Sequence, residues 1–112
     1  MDGVRQQKIS RLLQKELSEV FQRESRMLFG PVFITVTMVR VSPDLSIAKV
    51  YLSLFPVKDK HELFIAIKEA SKDIRRHLGS RIKNQVRIIP HLEFFVDDSL
   101  DYAEKIDMLL KK

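Results

Sequence analysis

The chain contains no cysteine. That excludes disulfides, thiolate metal sites and a thiol nucleophile. With only three histidines beside that absence, no structural zinc site is expected. Tryptophan is also absent, and the only glycines are Gly3, Gly30 and Gly79. Neither a P-loop nor a dinucleotide fingerprint can be assembled from glycines so placed. No apolar run approaches the roughly 18 residues that span a bilayer; the longest candidate, Val32 to Val39, is interrupted by Thr35 and Thr37. The polar first residues predict no secretory leader, and the acidic Asp2, Glu16 and Glu19 argue against an organellar one.

Catalytic groupings are missing as well. His61, His77 and His91 are each isolated from one another; His77 lies on the basic helix and His91 follows the strand proline. The Asp97-Asp98 pair reads as the approach to a helix, with Asp98 or Ser99 as the cap and Asp101 in the first turn, rather than as a hard-metal site. The expectation is therefore no enzyme, no cofactor and no metal.

What is present is ordinary globular material with an uneven charge. The 112 residues fit one domain running 1–112, with no repeat and no linker. There are 20 basic against 15 acidic residues, a net charge of +5. Residues 72–87 alone carry that whole excess, as Lys72, Arg75, Arg76, Arg81, Lys83 and Arg87 against Asp73. Residues 97–112 run the other way, with Asp97, Asp98, Asp101, Glu104 and Asp107 outnumbering Lys105, Lys111 and Lys112. A basic concentration of this kind attracts phosphates and gains free energy by releasing counterions from nucleic acid. An acidic protein partner would meet the same face. An anionic membrane surface fits less well, because the helices are polar and no tryptophan anchors them.

Periodicity gives the elements. Ile9, Leu12, Leu13, Leu17, Val20 and Phe21 recur at helical spacing and predict a helix over 4–24. On it Lys8, Arg11 and Lys15 fall within roughly 60° of one another, with Arg5 close by. Gly30-Pro31 ends the region. A β-branched run from Phe33 to Val41, the turn Ser42-Pro43-Asp44 and an alternating strand from Ile47 to Phe55 predict an antiparallel hairpin. Two helices follow, Lys60 to Ala70 and Lys72 to Asn84, meeting at a bend that Ser71 would cap. Lys72, Arg75 and Arg76 at that helix start form a candidate phosphate cradle. A third strand is predicted from Val86 to Val96, with Val86, Ile88, Leu92, Phe94 and Val96 on one face and Pro90 at an edge or bulge. A last helix is predicted over about 100–110. The fold class is α+β, ordered α-β-β-α-α-β plus a C-terminal helix, with a three-stranded sheet covered by helices on one face.

Three segments carry a family resemblance: Val41-Ser-Pro-Asp-Leu-Ser-Ile-Ala-Lys-Val-Tyr51, Ala70-Ser-Lys-Asp-Ile-Arg75 and Arg87-Ile-Ile-Pro-His-Leu-Glu-Phe-Phe-Val-Asp-Asp-Ser99. Over nearly its whole length the chain resembles bacterial ribosome-binding factor A. The resemblance implies a type II KH-like fold and a non-enzymatic, cytoplasmic factor, typically a single chain. It implies binding to the small (30S) ribosomal subunit or its precursor through small-subunit rRNA. Late 16S rRNA maturation, importance in the cold and release by a ribosome-associated GTPase are implied in the same way. Two departures stand out. There is no Gly-x-x-Gly loop, and Lys72 occupies the position of a usual glycine at the bend, which predicts a shallower bend or one made by Ser71 capping. The candidate RNA-binding residues are Arg5, Lys8, Arg11, Lys15, Ser71, Lys72, Arg75, Arg76, Arg81, Lys83 and Arg87, expected to share one basic surface.

Overall fold

A computed structural model describes residues 3–54 and 59–97. Within them the element order is α1 (Val4–Phe29), β1 (Thr35–Val41), β2 (Ile47–Ser53), α2 (Lys60–Glu69), α3 (Ser71–Ile82) and β3 (His91–Val96). This is the expected α-β-β-α-α-β order. Phe55, Pro56 and the predicted last helix, with the Asp98 or Ser99 cap, lie outside the described residues.

The helix α1 runs five residues past its predicted end, because nothing between Arg23 and Phe29 breaks it. At its start the Gly3 backbone N–H donates to the Gln6 side chain at 3.0 Å. It stops at Gly30, whose N–H donates to the Arg26 carbonyl at 3.0 Å and whose φ of 83° is a value that disfavours a side chain. Leu13, Leu17, Val20 and Phe21 are buried, as their spacing predicts.

Two hydrogen bonds tie α1 to β1. The Gln6 and Gln14 side-chain amides donate to the carbonyls of Val41 and Thr37 at 3.0 and 3.4 Å.

The sheet has the order β1-β2-β3. The hairpin is antiparallel, with Val39 opposite Val50 and Val41 opposite Ala48. Between Val36 and Met38 the register shifts by a bulge, so Thr37 faces no partner residue. Its hydroxyl instead donates to the Asp97 carboxylate at 2.7 Å. The third strand is parallel to β2, a pairing that the long connection through α2 and α3 makes possible. One face of the sheet, carrying Val36, Val39, Val41, Ala48, Val50, Leu52, Leu92 and Phe94, joins α1, α2 and α3 in a single core. The rings of Phe21 and Phe94 meet edge to face in it, 6.3 Å apart.

The third strand is shorter than predicted. It starts at His91, and the segment before it is irregular, leaving Ile88 67% exposed rather than on the buried face. Val96 is also partly exposed. The cause is twofold. Pro90 has no N–H for a ladder. The carbonyls of Ile89 and Pro90 are taken by the Arg75 guanidinium at 2.6 and 3.0 Å.

Between α2 and α3 only Ala70 leaves helical geometry, at φ −88° and ψ 7°. Its carbonyl accepts from the Ile74 N–H at 3.0 Å. Ser71 is therefore the first helical residue and not the cap, and no side chain caps this start. Residue 72 lies inside α3 and needs no left-handed backbone, so a lysine fits there without strain.

Across the α1–α3 seam Arg81 donates to Glu16 at 2.7 Å and pairs with Glu19. The seam continues with His77, 3.9 Å from Glu24. The residue numbers rise along α1 as they fall along α3, so the two helices run antiparallel. Glu16 is only 13% exposed, and the Arg81 guanidinium is its partner there. Arg81→Ala is expected to cost about 1–3 kcal/mol, because it leaves that carboxylate unpaired. Thermal unfolding should register a fall in Tm of roughly 5–15 °C; an unchanged Tm would show that the seam carries no stability.

The hairpin turn gives a second test. The Leu45 N–H donates to the Ser42 carbonyl at 2.8 Å, closing a β-turn with Pro43 at its second position. The Asp44 carboxylate accepts the hydroxyls of Ser42 and Ser46, each at 2.7 Å, and the Ser46 N–H at 3.1 Å. These bonds, the Ser42 hydroxyl first, hold its pKa down from 3.8 to about 2. A depressed folded-state value means that the turn's contribution is complete above pH 3.8 and disappears as pH falls through about 2. Carboxyl NMR titration of Ser42→Ala should move the Asp44 midpoint back toward 3.8.

Candidate nucleic-acid interface

The basic residues sort into three kinds once their surroundings are seen. Arg5, Lys8, Arg11 and Lys15 are exposed on α1, and none makes an ion pair with another described residue. Lys72, Lys83 and Arg87 are likewise exposed and unpaired among the described residues. Arg76 is exposed but shares Asp73 at 3.3 Å, an ion pair too wet to hold it firmly. Arg75 and Arg81 are structural clasps, one on the turn before β3 and the other on the α1 carboxylates. Ser71 is half-buried in the first turn of α3 with Asp73 nearby in sequence.

Both helices lean on the same side of the sheet, so their solvent faces belong to one layer. On α1, Lys8, Arg11 and Lys15 lie roughly opposite the buried Leu13–Leu17 stripe, at about 100° per residue. On α3, Lys72, Arg76 and Lys83 lie roughly opposite Ile74, Leu78 and Ile82 by the same count. The seam between the helices is acidic on the α1 side: Glu16, Glu19 and Glu24 stand there against Arg81 and His77. The expected single basic surface is thus two cationic ridges flanking a seam whose carboxylates outnumber its one guanidinium.

Three further features lie beyond the sequence reading. Arg26 lies eighteen residues after Lys8, which is about five full turns, so it extends the α1 ridge over roughly 27 Å. A helix that ends at residue 24 leaves it out. Arg11 and Arg40 line a shallow cleft of about 260 Å³ between α1 and β1, together with Ser10 and Met38. The Ser10 hydroxyl is buried there with no hydrogen-bond partner among the described residues. On the open face of the sheet Tyr51 and Phe95 stack at 5.3 Å, with Lys49 exposed one pair away. Alternation along the strands signals that face, but only the parallel pairing of β2 with β3 brings the two rings together.

Among the described residues no group of three or more His, Asp or Glu side chains could hold a metal ion. No helix among them is long and apolar enough to cross a membrane.

Comparison with known proteins points in one direction. The family model described as ribosome-binding factor A matches residues 5–110. A ribosome-binding factor A from Cytophaga hutchinsonii is 52% identical over 112 residues, covering 100% of this chain and 84% of that protein. Its counterpart from Flavobacterium johnsoniae is 43% identical over 111 residues, covering 98% of this chain and 85% of that protein. The crystal structure of ribosome-binding factor A from Thermus thermophilus superposes with a TM-score of 0.67 at 27% identity, over 81% of this chain and 94% of that one. A homology model of the Thermus thermophilus factor, fitted into a cryo-EM map of its complex with the 30S subunit, gives 0.64 at 29% identity, over 80% and 91%. With the fold and nearly the whole sequence matched, the chain belongs to the ribosome-binding factor A family.

Proposed function

We propose that the chain is a non-enzymatic assembly factor that binds the small ribosomal subunit or its precursor through small-subunit rRNA and assists late 16S rRNA maturation. It acts in the cytoplasm as a monomer, and a ribosome-associated GTPase releases it. The observation that carries the reading is the pair of exposed cationic ridges on the solvent side of the helical layer, in which Arg76 alone shares a carboxylate among the described residues. Family membership and the fitted 30S complex of a relative support the choice of partner.

The mechanism follows from the chemistry of the ridges. Lys8, Arg11 and Lys15 on one side, and Lys72, Arg76 and Lys83 on the other, meet phosphates of structured rRNA. Phosphate contacts fix position and carry little sequence information. Specificity comes from the ribosome's own arrangement of backbones, which must match two ridges on either side of a carboxylate-bearing seam. No Gly-x-x-Gly loop clamps a strand, because α2 passes into α3 through Ala70 alone.

About five phosphate contacts would weaken binding by roughly a hundredfold to a thousandfold between 50 and 200 mM salt. Cosedimentation with small subunits at graded salt checks this. Combined Lys8→Glu, Arg11→Glu and Lys15→Glu changes should lower affinity and flatten the salt slope together. Unaltered affinity with a flat salt response would end the RNA reading. Nuclease-resistant capture of an acidic protein would replace it.

Arg75 and Lys72 separate structure from docking. Arg75→Ala removes two charge-assisted bonds to the carbonyls before β3. It is expected to cost about 1.5–3 kcal/mol of stability. Lys72→Ala should leave Tm unchanged within error and weaken subunit binding by a few-fold; the reverse pattern would exchange the two assignments.

A further inference from the structure

Beyond the helix terminus at Gly30, the chain folds back along the last turns of α1 and leaves a groove of about 500 Å³. That volume is in the range of small-ligand sites. Phe21 and Val32 line it with apolar surface, and Arg23 and Arg26 line it with charge. Phe33 stands beside it with 77% of its surface exposed. Neither arginine side chain pairs with another described residue. An exposed aromatic ring and two uncommitted guanidinium groups lining one groove suit a partner that is flat, apolar on its faces and anionic along its edges. An unpaired nucleotide has that chemistry, with a base to stack and phosphates on either side. An acidic peptide would satisfy the arginines and leave the ring without a face to meet. The groove is also continuous with the α1 ridge, because Arg26 belongs to both.

We propose that this groove holds one unpaired nucleotide of RNA, with the base stacked on Phe33 and the flanking phosphates on Arg23 and Arg26. The proposal rests on the RNA-binding reading above and adds a single-strand subsite to it. The factor then engages its target in two ways at once. The ridges take duplex backbone, and the groove takes a base that the duplex does not offer.

The chain has no tryptophan, so Phe33→Trp introduces a sole indole reporter at the groove. The full chain carrying this change is titrated at low salt with a short single-stranded oligoadenylate, with an RNA duplex of equal length, and with oligoglutamate. The expected result is quenching by the single strand alone. Phe33→Ala should weaken oligoadenylate binding by about 5- to 100-fold, while Phe33→Tyr retains it. Circular dichroism of the variants checks folding, which an exposed position should not disturb. Three results would overturn the subsite: an indole indifferent to the single strand, equal quenching by oligoglutamate, or an indole already shielded from acrylamide before RNA is added. Small-subunit cosedimentation of the unsubstituted chain separates the two levels. If it binds subunits and Phe33→Ala changes neither subunit nor oligoadenylate affinity, the subsite fails and the assembly-factor reading stands. If it does not bind subunits, that reading fails and the subsite falls with it.

Discussion

The guanidinium of Arg81, held between Glu16 and Glu19, decides more about this molecule than any other polar group among the described residues. It fixes α3 against α1 at a half-buried seam where hydrocarbon packing alone would leave sliding room. It also removes a cation from the surface and offsets part of the negative charge of two carboxylates. A seam that keeps its carboxylates between two cationic ridges is a shape constraint on any polyanion that docks there, since its phosphates must pass on either side and not down the middle. Arg75 acts on the other flank of α3 in the same manner, by occupying the carbonyls of Ile89 and Pro90. That side chain reads as surface charge in the sequence and works as a buckle in the fold.

Much of the architecture is legible in the sequence because it rests on local periodicity. The buried stripe of α1, the alternation of β2 and the Pro43-Asp44 turn are each settled by residues within a few positions of one another. The failures occur where a distant residue decides. The third strand loses its first half to a guanidinium about fifteen residues away, and no strand propensity in Val86–Ile89 can signal that. The predicted end of α1 comes too early because Arg23, Glu24 and Arg26 interrupt the apolar pattern, although they break no helix. The site suffers in proportion. Charge density along the chain picks out candidate helices but cannot tell a free lysine from an arginine whose partner lies 65 residues away.

The bend between α2 and α3 is made without a glycine. A glycine there would supply a backbone freedom that this chain does not use, since Ala70 makes the turn in an allowed right-handed region. Lys72 then sits on a regular helix and adds a cation to the solvent face. The substitution exchanges flexibility at the bend for charge beside it. A protein that read sequence by clamping a strand at this loop would be harmed by that exchange. One that docks by shape and phosphate contact is not.

Recognition by two ridges alone has a physical weakness, for it would accept many duplex RNAs of similar curvature. Phosphate contacts add affinity everywhere and discriminate poorly. A groove that accepts an unpaired base changes this, because a continuous duplex has none to give. Placed at the end of the α1 ridge, the Phe33 groove would favour a site where helical RNA gives way to a single strand. Such junctions are features of RNA still being folded or trimmed. Selectivity for an incompletely finished subunit then needs no sequence readout. It needs only that the ridge and the groove be filled together, and Arg26, which belongs to both, makes them continuous along α1.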